Sequence, residues 1–94
     1  MFDYSKTYNT IGAQEWVIIP EHERATVAAA LNGSGTYSIE TQLVANGAAS
    51  NPPEVTGLTA SLPPRPLNGF VRAVRVNIAS LTGTLTFDVH SDRH

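Results

Sequence analysis

Residues 70–90 constrain the fold more than any other stretch, because two period-two patterns lie there on either side of a turn-length gap. Leu85, Phe87 and Val89 alternate with Thr84, Thr86, Asp88 and His90, the spacing of a strand that buries one face. Upstream, Phe70, Val74, Val76 and Ile78 share one parity, and Val71, Ala73, Arg75 and Asn77 the other. Arg72 has the parity of the apolar set and is its charged member. Between the two patterns, Ala79-Ser80-Leu81-Thr82-Gly83 predicts a hairpin loop ending in glycine. A hairpin apolar on one side needs a second layer to cover it, so the expected class is all-β, an antiparallel sandwich or barrel.

The rest of the chain repeats the theme. Glu15-Trp16-Val17-Ile18-Ile19-Pro20 reads as a buried strand stopped by proline, with Trp16 its largest core candidate. Ala25, Val27, Ala29 and Leu31 alternate with Arg24, Thr26, Ala28 and Ala30, and Tyr37, Ile39, Thr41 and Leu43 resume the period. Asn32-Gly33-Ser34-Gly35 between them predicts a second hairpin, joining strands 22–31 and 36–45. Residues 46–53 read as a loop, with a short strand after them around Val55 and Leu58. Pro63-Pro64-Arg65-Pro66 reads as an exposed, polyproline-like connector. Turn signals recurring roughly every 8 to 12 residues give about six strands, a sandwich of jelly-roll or Ig-like kind. The expected core is Trp16, Ile18, Val27, Ala29, Leu31, Tyr37, Ile39, Leu43, Phe70, Val74, Val76, Ile78, Leu85, Phe87 and Val89. Residues 1–14 hold Phe2, Tyr4 and Tyr8 at one parity in a polar background. They suit either a first strand or an extended arm whose aromatic side chains lie on one surface. The division adopted is an N-terminal arm at 1–14 and a sandwich domain at 15–94.

Composition excludes several functions. The chain of 94 residues has no cysteine, so disulfides, thiolate metal sites and thiol nucleophiles are ruled out. Six basic against eight acidic side chains, with 15% charged residues, leave no basic stripe for nucleic acid. No apolar run is long enough to span a bilayer, and the first residues lack the layout of a signal peptide, so neither membrane insertion nor secretion is expected. No GxSxG elbow, paired carboxylates or phosphate loop is present, and neither catalysis nor a cofactor is expected. His90, Asp92 and His94 would project together from an extended strand, but as a terminal triplet without supporting groups they are not expected to hold metal. His22, between Glu21 and Glu23, reads as a solvated residue. Arg75 is expected on the polar face, solvated or paired with Asp88. Arg72 is expected to be a satisfied arginine at the sheet edge, paired or stacked on an aromatic, or else to lie at a subunit contact. The apolar list is short for the chain, which favours an oligomer.

Residues 35–43 (GTYSIETQL), 70–78 (FVRAVRVNI) and 81–87 (LTGTLTF) carry a resemblance. Across roughly 22–90, an Arg-x-hydrophobic-Arg-hydrophobic-Asn strand leading into a Thr/Gly hairpin resembles the small β-sandwich modules of tailed-bacteriophage structural proteins. A module without a fibrous extension is similar to capsid decoration (cement) proteins. These sit as trimers over symmetry axes of the shell and staple neighbouring capsid subunits. The resemblance implies a homotrimer on the virion surface, assembled in the host cytoplasm, with the major capsid protein as partner. Phe2, Tyr4, Tyr8, Arg72 and Arg75 are then the expected interface. The alternative within the resemblance is a tail, baseplate or head-fibre module that binds a receptor or carbohydrate, with Trp16 or Tyr37 exposed for stacking. A third class, a small hydrolase or metal enzyme, would need a pocket holding His90, Asp92 and His94.

Overall fold

A computed structural model describes residues 2–44, 47–49, 55–67 and 71–93. The strands are β1 (Phe2–Tyr8), β2 (Gly12–Ala13), β3 (Val17–Ile18), β4 (Glu23–Gln42), β5 (Val55–Leu58), β6 (Leu62–Pro66) and β7 (Ala73–Arg93). Among the described residues the chain is all-β, and seven strands form one open antiparallel sheet in the order β1-β7-β4-β5, with β2 and β3 also on β7 and β6 also on β4.

Two of these strands carry the others. β4 has 20 residues and β7 has 21, where about five or six is usual. They pair along their whole length, from Glu23↔Arg93 to Gln42↔Ala73. Both hairpins expected from the sequence are therefore absent. The segments that resemble turns are strand interior and face each other: Gly33 opposes Gly83, Ser34 opposes Thr82 and Gly35 opposes Leu81. Small, turn-forming residues at matched register let the ladder continue while the ribbon bends. Gly33 (φ 120°) and Gly83 (φ 108°) sit in left-handed backbone that other residues rarely adopt. A Cβ on Gly33 would lie 2.1 Å from the Thr82 carbonyl oxygen, and one on Gly83 would lie 2.1 Å from that of Asn32.

The bend is large. A straight strand of 20 residues would run roughly 65 Å at about 3.3 Å per residue, whereas the longest extent of the molecule is 36 Å. The ribbon is therefore strongly bent rather than straight. One half joins the start of β4 and the end of β7 to β1 and β6, and the other joins the remaining halves to β2, β3 and β5. Both halves feed one core, with Val27, Leu85, Phe87 and Val89 from the first and Tyr37, Ile39, Val74, Val76 and Ile78 from the second. A bulge at Ala79, between the pairs Thr36↔Ser80 and Tyr37↔Ile78, moves the buried parity of β7 from even to odd numbers. The parity switch that reads as a turn in the sequence is this bulge.

Other expectations shift by one residue or one face. Ile18 pairs with Ala73 and points outward, 53% exposed, while Ile19 takes the inward position. Three successive apolar residues in a strand cannot all face in. Leu43 follows the last residue of β4 and is 75% exposed. Trp16 is half-buried outside the core cluster. Phe70 and most of the loop expected at 46–53 lie outside the described residues. Tyr8, Ile19 and Leu67 are core residues that periodicity misses. The proline connector is β6, paired with β4 with Pro66, Arg65 and Leu62 opposite Thr26, Val27 and Ala29, a place where proline is tolerated because the strand lies at an edge.

Gly83→Ala should lower stability by at least about 2 kcal/mol, since backbone conformation and a facing carbonyl both oppose it. Ser34→Ala in the same bend, on an exposed side chain, should stay within about 0.5 kcal/mol. Urea midpoints at constant slope read both values.

Candidate interaction surface

Arg72 stands just before β7, so the parity of the strand does not govern its side chain. Its backbone ties two strand ends together: its amide donates to the Gln42 carbonyl (2.7 Å) and its carbonyl accepts from the Ile19 amide (2.9 Å). The guanidinium Nη1 lies 3.7 Å from Glu21 Oε1, with both side chains partly or largely exposed. A pair of this kind is screened and easily exchanged. Glu21 is presented by a turn in which the Glu23 amide donates to the Pro20 carbonyl and His22 takes a left-handed φ of 65°. Arg72, Val71, Leu43, Ile19 and this turn line a shallow depression of about 190 Å³.

The same end carries exposed apolar side chains. Ile18 pairs with Ala73, Ala73 pairs with Gln42, and Leu43 and Val44 follow directly, 75% and 64% exposed. Register therefore places Ile18, Leu43 and Val44 at the same end of the sheet as the residues that anchor Arg72. Sequence reasoning missed this trio because periodicity assigned Ile18 and Leu43 to the core. The signal available was the run Val17-Ile18-Ile19, which must put one residue on the outside.

Arg75 is engaged within the chain. Its Nε donates to Glu40 Oε1 at 2.7 Å, directly across from it on β4. Asn77 Nδ2 donates to the other carboxylate oxygen at 3.3 Å. The guanidinium carbon sits 4.2 Å from the centroid of the Trp16 ring, a stacked cation–π contact. Asp88, the expected partner of Arg75, instead accepts from Ser5 Oγ.

Phe2, Tyr4 and Tyr8 lie on β1, opposite Ser91, Val89 and Leu85 of β7. Tyr8 is in the core, with Phe2 and Tyr4 packed against it. The Tyr4 and Tyr8 hydroxyls are 2.8 Å apart, and Tyr4 Oη donates to Glu15 Oε1 at 3.3 Å. Lys6 Nζ donates to the same oxygen at 2.7 Å and lies 5.4 Å from the Tyr8 ring centroid. Glu15 belongs to the link between β2 and β3, so these bonds join β1 to the strands on the other half of β7. Burial, then the Tyr8 hydroxyl and the Glu15 charge, push the Tyr4 phenol well above its ordinary value. The Lys6 ammonium holds the Glu15 carboxyl below the usual range, and Glu15 in turn raises Lys6. On the opposite face of β1, Asp3 Oδ1 lies 2.5 Å from His90 Nδ1 and Thr7 bonds Thr86. His94 lies outside the described residues, and among those described no three potential metal ligands cluster.

No family model, curated protein or solved structure matches this chain.

Two outcomes test the polar contacts. Glu40→Ala strands a half-buried arginine and should cost about 2 kcal/mol in chemical denaturation. For Tyr4, between the ordinary tyrosine value of 10.0 and the raised folded one the native chain keeps a proton that the unfolded chain has released. Stability is then fully present below about pH 10 and falls as pH rises above it. Tyr37, raised by burial, contributes in the same direction. Tyr4→Phe should flatten this alkaline loss without removing it, as read by urea midpoints on either side of pH 10.

Proposed function

We propose that this chain is a structural protein of a tailed-phage virion, a capsid decoration (cement) module that bridges neighbouring subunits of the major capsid protein. What carries this reading is the end of the sheet that presents exposed Ile18, Leu43 and Val44 as well as Arg72 and its screened partner Glu21. A monomer gains nothing by presenting these aliphatic side chains to water, and a patch of this kind marks a contact with another molecule. Docking on a shell subunit would bury the aliphatic groups while Arg72 exchanges Glu21 for a carboxylate of the partner. Repetition of this end in an oligomer multiplies modest contacts into avidity. The bent sheet takes the part of the sandwich that such modules carry, with two halves of one sheet as its layers.

Of the five residues the resemblance implicates, Arg72 is the one available for exchange. Tyr8 is buried, Phe2 and Tyr4 pack on the core, and Arg75 is held between Glu40 and Trp16. The receptor-binding alternative needs an aromatic platform. Tyr37 is buried with its hydroxyl bonded to the Ala60 carbonyl, and one face of Trp16 is occupied by Arg75.

Co-sedimentation of the purified chain with shells of the major capsid protein tests the reading. The wild type should bind, and Leu43→Asp with Val44→Asp should weaken binding at least about tenfold while stability stays within about 0.5 kcal/mol. Wild-type occupancy by the double variant would remove this end from the interface, and failure of the wild type to bind any shell would end the decoration reading.

A further inference from the structure

The strands that border this sheet are not equally protected. β6 carries Pro63, Pro64 and Pro66, which offer no amide to a neighbour. β5 has four residues, one of them the left-handed Gly57, and β2 and β3 have two each. Short length, proline, irregular backbone and charged side chains are the usual means by which natural sheets close an edge to other strands. Of these β1 has only the charged Asp3 and Lys6, which are engaged within the chain by His90 and Glu15. It runs seven residues in unbroken register with β7, without proline, glycine or bulge. Asp3, Ser5, Lys6 and Thr7 are exposed. Asp3, Ser5 and Thr7 are each fastened to the facing residue of β7, so the strand is held extended, and among the described residues no strand pairs with its other side.

We infer that β1 is a contact between two copies of this chain, paired antiparallel edge to edge about a twofold axis at Ser5, so that the two sheets become continuous. A twofold axis perpendicular to the sheet keeps both core faces on the same side, so residues of one parity must oppose residues of the same parity. The charges on β1 choose among the registers that remain. With Ser5 on the axis all seven residues pair: Phe2 meets the second copy's Tyr8, Asp3 meets Thr7 and Tyr4 meets Lys6. No like charges oppose, and Lys6 gains a second tyrosine of the kind it already faces in Tyr8. Placing Lys6 on the axis would set two ammonium groups directly opposite, which is destabilising. Placing Tyr4 there would set Phe2 against Lys6 and leave Tyr8 unmatched. Lys6 thus fixes the register, and its own charge is satisfied by Glu15. The resulting contact is isologous and twofold, in place of the trimer that the phage resemblance implies. It uses a strand other than the Leu43 end and stands whether or not that end binds a capsid.

Light scattering and sedimentation equilibrium of the full chain test it, over roughly micromolar to millimolar concentrations. The expected mass at the upper end is twice the 10.1 kDa of the chain. Ser5→Lys faces Asp88 within its own sheet, so the monomer keeps its fold, while across the axis it opposes its own copy; dimerisation should weaken at least about tenfold. Ser5→Glu should do the same, and a one-to-one mixture of S5K and S5E should restore the dimer, because residue 5 meets only itself. Hydrogen exchange gives a second reading that needs no variant: the amides of β1 should gain protection as wild-type concentration rises. A monomer at every concentration, a trimer, or a dimer that S5K leaves intact would overturn the inference. So would protection of β1 that arises only on adding capsid subunits, which would assign this edge to a strand of another protein.

Discussion

The structure rests on one close approach of backbone to backbone. Where β4 and β7 cross the middle of their ladder, a carbonyl oxygen from each strand occupies the place a side chain would take on the glycine opposite. The Thr82 oxygen lies over Gly33 and the Asn32 oxygen over Gly83. Without that approach a pair of strands this long would be a straight ribbon with one apolar face in water. With it, the ribbon bends and residues from both of its halves contribute to one core. The burial of Val27, Ile39, Val74, Val76, Leu85 and Phe87 to near completion follows from the bend. So does the meeting of Tyr4 and Lys6 with Glu15, since β1 and the strands β2 and β3 lie along the same edge of β7, in its two halves.

Much of this was legible in the sequence, and the errors have a common cause. Period-two alternation identified the strand residues of β4 and β7 and most of the core, because the side-chain period of a strand is a local property. Turn chemistry at Asn32-Gly33-Ser34-Gly35 and Ala79-Ser80-Leu81-Thr82-Gly83 was also read at its local value, as a pair of hairpins. Local rules cannot show that two turn-like segments lie opposite one another, since that depends on pairing between distant parts of the chain. Ile18 and Leu43 failed for a related reason: each is apolar in an apolar context, and only the register of β3 on β7 and the end of the β4 ladder put them outside. Arg72 drew attention as a charge at an apolar parity. Its parity turned out to be irrelevant, because it precedes the strand, yet it lies within the patch that makes the strongest case for a partner.

The polar side chains divide between the inside and the outside of the molecule's business. Glu40 binds Arg75 and Asn77, Ser91 Oγ donates to the buried Glu23 at 2.6 Å, and Glu15 holds Lys6 and Tyr4. Glu40 and Glu23 are withdrawn from water and have donors within reach, as buried carboxylates require, whereas Glu15 is largely exposed and holds two donors at the surface. Glu21 and Arg72 are the contrast, a long and exposed pair that gives up little when broken.

The pairing of β4 with β7 also determines how the chain must acquire its structure. The contacts between these strands span from residue 42 to 73 at the near end and from 23 to 93 at the far end. Neither strand can form against a neighbour delivered by a tight turn, so loop closure comes before any of the ladder is gained. The entropy of that closure, rather than the formation of a hairpin, then sets the pace of folding. Within this ladder the near end, where Arg72 bonds Gln42 and Ile19, closes the shortest loop. The residue that stood out in the sequence as a misplaced charge lies at that end.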